Sequence, residues 1–105
     1  MEKIWSGFYK KNIDERLGVI EQADILSEEH LELLKNNEVL DFDTANNMVE
    51  NVIGTFSLPF SVVPNFTVDG KQYIVPFVTE EPSVVAACSN AGKIVAKSGG
   101  FKTKK

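Results

Sequence analysis

The sequence predicts an α+β fold: three short N-terminal helices, a β-hairpin with an additional strand, and a C-terminal small-residue helix. Three observations carry that reading. Capping residues stand ahead of helix-period apolar stripes three times before residue 52. The pair Asp69-Gly70 separates two runs of alternating apolar residues. Residues 83–97 then combine helix periodicity with many small side chains, and Gly99-Gly100 follows them.

Residues 1–11 show no clear period. Trp5, Phe8 and Tyr9 punctuate a polar arm, which gains order by docking its aromatics on a surface. The first helix is expected over 13–22. Asn12 caps it, Glu15 completes a capping box, and Ile13, Leu17 and Ile20 form its stripe, against the cost of Gly18. The second is expected over 28–36, with Ser27 as cap, Glu28 and Glu29 at its positive end, and a staple between Leu26 and Leu31. Asn36-Asn37 ends it. The third is expected over 44–52, capped by Asp43, burying Ala45, Met48, Val49 and Val52, and ended by Gly54.

The texture then changes. Residues 55–63 read as a strand, bent or kept to an edge by Pro59, with a break at Pro64-Asn65. The hairpin about Asp69-Gly70 puts Phe66, Val68, Tyr73, Val75 and Phe77 on one face and Thr67 and Gln72 on the other. Pro76 argues that its second strand is not paired on both sides throughout. The last helix starts near Pro82 or Ser83, buries a stripe of Val84, Cys88, Ala91 and Val95, and lets another backbone approach closely.

Composition narrows the class. A chain of 105 residues is one domain by size, with 43% hydrophobic and 25% charged residues as in ordinary globular proteins. The net charge of −4 argues against nucleic acid, and the basic residues from Lys102 onward read as a solvated tail. One cysteine, Cys88, fits a reducing compartment, so a cytoplasmic location is expected. No apolar run suits a membrane span or a signal peptide.

Candidate chemistry gathers at Glu80-Glu81-Pro82-Ser83. The two carboxylates either balance the positive end of the following helix, or one of them is buried and donates protons. Ser83 is a first-turn hydroxyl able to reach a ligand held at the same end. Cys88 reads as packing and His30 as a surface residue, because no partner at metal-ligand or nucleophile spacing accompanies either. Gly99-Gly100 ends a helix, whereas phosphate loops open one. No dinucleotide-binding glycine fingerprint and no metal-site spacing is present.

The segment 50–59, Glu-Asn-Val-Ile-Gly-Thr-Phe-Ser-Leu-Pro, resembles an early signature of class II (bacterial) 3-hydroxy-3-methylglutaryl-CoA reductases. Val75-Pro76 leading into Glu80-Glu81-Pro82-Ser83-Val84-Val85-Ala86-Ala87 does so too, as does Gly99-Gly100-Phe101-Lys102-Thr103, all in register across residues 13–103. The resemblance implies a single partial domain over 1–105, the N-terminal part of the large, substrate-binding domain of a cytoplasmic homo-oligomer in the mevalonate route to isoprenoids. It implies reduction of HMG-CoA to mevalonate and CoA with two hydrides from NADPH or NADH. Glu81 matches the family's catalytic glutamate, and Ser83 the serine that helps hold the hydroxymethylglutaryl group.

The family's lysine, aspartate and histidine, and its cofactor-binding domain, come from segments outside these residues. His30 lies in the wrong region to serve, so no cofactor and no metal is expected to bind this segment, and it is expected to be inactive alone. Many relatives carry an arginine after the aromatic matching Phe8, where this chain has Tyr9, Lys10 and Lys11. The segment 50–54 resembles the part associated with the family's dimer interface. The rival reading is a free-standing α+β module for self-association or interaction, without catalysis.

Overall fold

The computed structural model describes residues 3–37 and 39–104. Met1, Glu2, Glu38 and Lys105, the last residue of the basic tail, lie outside them. The chain divides between Ser57 and Leu58 into two units, each with its own packing.

In the first unit, two short 3-10 turns, Lys3–Trp5 and Phe8–Lys10, precede α1 (Ile13–Ala23). The aromatic arm docks through Trp5, which is 4% exposed and lies 5.5 Å, centroid to centroid, from Phe8; Tyr9 stays in solvent. Asn12 forms the expected reciprocal box with Glu15, with bonds of 2.9 and 3.0 Å. Arg16 Nη1 donates to the Lys11 carbonyl at 2.6 Å and ties the entry of α1 to its body. The stripe turns relative to the expected one: Val19 and Ile20 are buried, Leu17 is half-buried and Ile13 is exposed. α1 packs against the Lys3–Trp5 turn and α2 (Glu28–Lys35), so the stripe follows those two neighbours.

Ser27 caps α2 by accepting the His30 N–H at 3.3 Å, and Leu31 is its buried anchor. The Lys35–Glu21 ion pair at 3.3 Å is exposed and contributes at most about 1 kcal/mol. The third helix departs from expectation. α3 runs Phe42–Met48 and is capped by Asp41, not Asp43. The Asp41 carboxylate accepts both the Thr44 N–H at 2.8 Å and the Thr44 hydroxyl at 2.9 Å, so the helix starts earlier. It also ends earlier. Val49 is extended, and Asn51 takes a positive φ of 62°, so the chain has left the helix before Gly54. Of the expected buried face only Ala45 is buried; Met48 and Val49 are exposed.

The second unit is built on a hairpin of β1 (Phe60–Val68) and β2 (Lys71–Val78). Asp69 and Gly70 have φ of 50° and 79°, the two positive values that a two-residue I′ turn requires. Phe66 pairs with Tyr73, Thr67 with Gln72 and Val68 with Lys71, as the turn predicts. The additional strand expected over 55–63 is corrected: residues 60–63 are the first part of β1 and pair with the same β2. Pro64-Asn65 does not break the strand but forms a bulge, where the register shifts between Val63 and Phe66. Gln72 Nε2 closes the gap by donating to the Pro64 carbonyl at 3.0 Å.

α4 (Val84–Lys97) packs on β1. The bulge explains the small residues of this helix. Asn65 is buried and donates Nδ2 to the Ser89 carbonyl at 2.8 Å, while the Ser89 hydroxyl donates to Asn65 Oδ1 at 3.3 Å. One turn on, Gly92 is buried, and a Cβ there would lie 3.2 Å from the Asn65 carbonyl oxygen. The buried face is therefore centred on Gly92 and flanked by Ser89, with Ala91 exposed, unlike the expected stripe. After α4 the chain returns to the hairpin tip. Phe101 makes a parallel bridge to Val68, its ring stacks on Phe66 at 5.1 Å, and Thr103 binds the Asp69 carboxylate through its N–H and its hydroxyl.

Candidate functional site

Five residues, 79–83, connect the outer strand β2 to α4. The strand stops at Val78, and the half-buried Thr79 turns the chain: its Oγ1 accepts the Glu81 N–H at 3.2 Å. Pro82 restricts Glu81 to extended backbone by its ring. Ser83 then takes φ 75°, ψ −13°, a left-handed conformation that is rare outside glycine. Its carbonyl accepts the Ala87 N–H at 2.8 Å and opens the helix.

This turn differs from expectation in two ways. The helix begins at Val84, so Pro82 lies ahead of it rather than in its first turn. Ser83 is the N-cap residue, yet its side chain makes no capping hydrogen bond; capping side chains sit on extended backbone, and that of Ser83 is left-handed. Those N–H groups keep the partial positive charge of a helix start. Glu81 and Ser83 therefore stand together on one short connection, at the positive end of a fourteen-residue helix. Both are exposed, as is Glu80, so the described residues do not supply the burial that a desolvated proton donor requires. The Glu81 carboxylate bonds to no other described residue.

The other candidates fall apart from this turn. Cys88 is a half-buried free thiol on α4. His30 belongs to the first unit, exposed on α2. No group of three potential metal ligands occurs among the described residues. A cleft of about 350 Å³ opens toward the far end of α4, between Lys93 and Lys97 and the hairpin residues Thr67 and Gln72. Its two lysines offset the negative end of the helix dipole, and neither Glu81 nor Ser83 lines it.

Nor do the glycines after α4 fit a dinucleotide. A phosphate cradle needs open N–H groups, but Gly99 and Gly100 donate theirs to Ala96 and Val95, and a Cβ on Gly100 would lie 2.6 Å from the Thr67 carbonyl oxygen. Thr79 escaped the sequence reading. Its signal was present, a threonine two residues before the glutamate, the spacing of a side-chain-to-backbone turn.

Comparison with known proteins gives one answer. Residues 12–105 match the family described as Hydroxymethylglutaryl-coenzyme A reductase. The 3-hydroxy-3-methylglutaryl-coenzyme A reductase of Archaeoglobus fulgidus is 47% identical over 97 residues, covering 92% of this chain and 22% of that protein. The 3-hydroxy-3-methylglutaryl-coenzyme A reductase of Streptococcus pneumoniae is structurally similar with a TM-score of 0.89 at 49% identity, over 95% of this chain and 24% of that one. A class II structure from the same organism, bound to NADPH in open conformations, gives a TM-score of 0.87 at 49% identity, over 93% of this chain and 27% of that one. The chain thus spans about a quarter of the length of these relatives. With nearly its whole length matched, both in sequence and in fold, the chain belongs to the hydroxymethylglutaryl-CoA reductase family.

Proposed function

We propose that these residues are one partial domain, the N-terminal part of the substrate-binding domain of a reductase that converts HMG-CoA to mevalonate and CoA, and that Glu81 is its general acid. Glu81 delivers a proton to the thioester carbonyl oxygen, or hydrogen-bonds it, as negative charge develops there. Ser83 holds the hydroxymethylglutaryl group beside it. The nicotinamide cofactor, NADPH or NADH, is bound by residues outside this chain. One observation carries the reading. Within a family match over residues 12–105, Glu80-Glu81-Pro82-Ser83 forms a strand-to-helix connection whose Glu81 carboxylate bonds to no other described residue.

Two finer features belong to the same reading. The protein is a homo-oligomer, supported by the exposed apolar side chains of the segment 48–56. Ile53 is 98% exposed and Phe56 89% exposed, apolar surface that the described residues leave without cover. Its place is the cytoplasm, supported by the lone cysteine. No helix among the described residues is long and apolar enough to cross a membrane.

The test is a hybrid in which residues 12–105 replace the matching quarter of the Streptococcus pneumoniae enzyme. Turnover of HMG-CoA with NADPH is expected in the hybrid and absent from the 105-residue chain alone. Glu81→Gln is expected to lower kcat by about 100-fold or more while the hybrid stays folded. A Glu81→Gln hybrid that keeps full turnover overturns the assignment. It would favour the alternative of a scaffold module without chemistry.

A further inference from the structure

We infer that Thr79 is a positioning residue for Glu81; the inference rests on the reading of Glu81 as general acid. The connection from β2 to α4 is short and exposed from Glu80 to Ser83, and no side chain caps the helix it leads into. Such a segment samples many conformations unless something fixes it. Two constraints act on the backbone of Glu81. Pro82 restricts its ψ from the C-terminal side. From the N-terminal side, the Thr79 hydroxyl accepts its N–H at 3.2 Å.

Thr79 is itself half-buried between two exposed neighbours, Val78 and Glu80, so its side chain is the less solvated member of the pair. The left-handed Ser83 then takes the chain directly into α4. With its backbone held on both sides, Glu81 has only its side-chain rotations left to freeze when substrate arrives. A carboxyl group misplaced by about 1 Å loses much of its effect on rate. Thr79 touches neither substrate nor reacting atom in this scheme; it acts through the Glu81 backbone.

Thr79→Val keeps the shape of the side chain and removes the acceptor, while Thr79→Ser keeps the acceptor. In the 105-residue chain, amide exchange at Glu81 is expected to rise several-fold in Thr79→Val, with β1, β2 and α4 unchanged, and to return in Thr79→Ser. In the hybrid reductase, Thr79→Val is expected to lower kcat about fivefold at unchanged KM, again restored by serine. Unchanged Glu81 exchange in Thr79→Val overturns the inference. So does unchanged kcat in Thr79→Val where Glu81→Gln abolishes turnover. Full turnover in Glu81→Gln instead removes the general-acid reading, and with it the role of Thr79, even where the exchange data confirm the contact.

Discussion

Gly100 is the most tightly enclosed glycine of the second unit. A Cβ there would meet the Thr67 carbonyl oxygen at 2.6 Å and the Thr67 Cβ at 2.9 Å, and its φ of 88° suits only glycine. Gly100→Ala combines overpacking against backbone with backbone strain, so the expected loss is about 3 kcal/mol. Urea denaturation followed by circular dichroism measures it. A change below about 0.5 kcal/mol would mean that the chain beyond α4 simply lifts off the hairpin.

Asp69, at the hairpin tip, carries the other strong constraint. The Thr103 hydroxyl and then the Thr103 N–H hold its carboxyl below the usual aspartate range, outweighing the opposing effect of desolvation, with a lesser contribution from the Lys102 charge. The sign follows from that depression. The contact contributes fully above the unfolded aspartate value and fades as pH falls through the lower folded one, that is, from about pH 4 downward. The Thr103 amide is therefore expected to lose exchange protection on acidification over that range, and an Asp69→Asn variant to show no such dependence. Protection that tracks global unfolding in both proteins would argue against a local contact.

At the scale of elements, α3 shows how a cap chooses a helix. Asp41 takes the N–H and the hydroxyl of Thr44, and those bonds lower its pKa. Asp41→Ala is expected to fray Phe42–Met48 selectively, with amide exchange there rising several-fold while α1 and α2 keep their protection. Asp43→Ala should do far less, and equal losses in the two variants would put the cap elsewhere. The sequence made α1, α2 and the hairpin legible because their signals are local: a reciprocal Asn12–Glu15 pair, a serine before two glutamates, an Asp-Gly step. Asp41 and Asp43 are both good caps by residue type, and the two bonds from Thr44 go to Asp41. The bulge at Pro64-Asn65 was illegible for a different reason. Its Asn65 is held by Ser89, twenty-four residues away, and its Pro64 carbonyl by Gln72 across the hairpin. The candidate site divides the same way. Glu81 and Ser83 were visible from the motif, whereas the left-handed Ser83 and the Thr79 contact arise only in the folded backbone.

At the scale of the molecule, charge and apolar exposure are unevenly spread. Most of the carboxylates precede Asn51, while Lys71, Lys93, Lys97, Lys102 and Lys104 lie in the second unit. Ile53 and Phe56, both almost fully exposed, follow the short α3. Large apolar side chains left in water favour association, at roughly 25 cal/mol per Å² of apolar surface covered. Sedimentation is expected to show concentration-dependent self-association, with Phe56→Ser shifting the chain toward monomer. A monomer throughout the millimolar range in the unsubstituted chain would exclude this surface as an association site for the chain alone.

The hairpin tip also bears on how the protein ages. In an Asp-Gly pair the glycine nitrogen can attack the aspartate carboxyl carbon, expel water and form a cyclic imide. Hydrolysis of that imide reroutes the main chain through the side chain. Gly70 offers no side chain to hinder the attack. Thr103 bonds both Asp69 carboxylate oxygens, which restrains the side-chain rotation that such an attack requires. A bond that folding uses to close the end of the unit is thus expected to slow covalent ageing of the Asp69-Gly70 peptide as well.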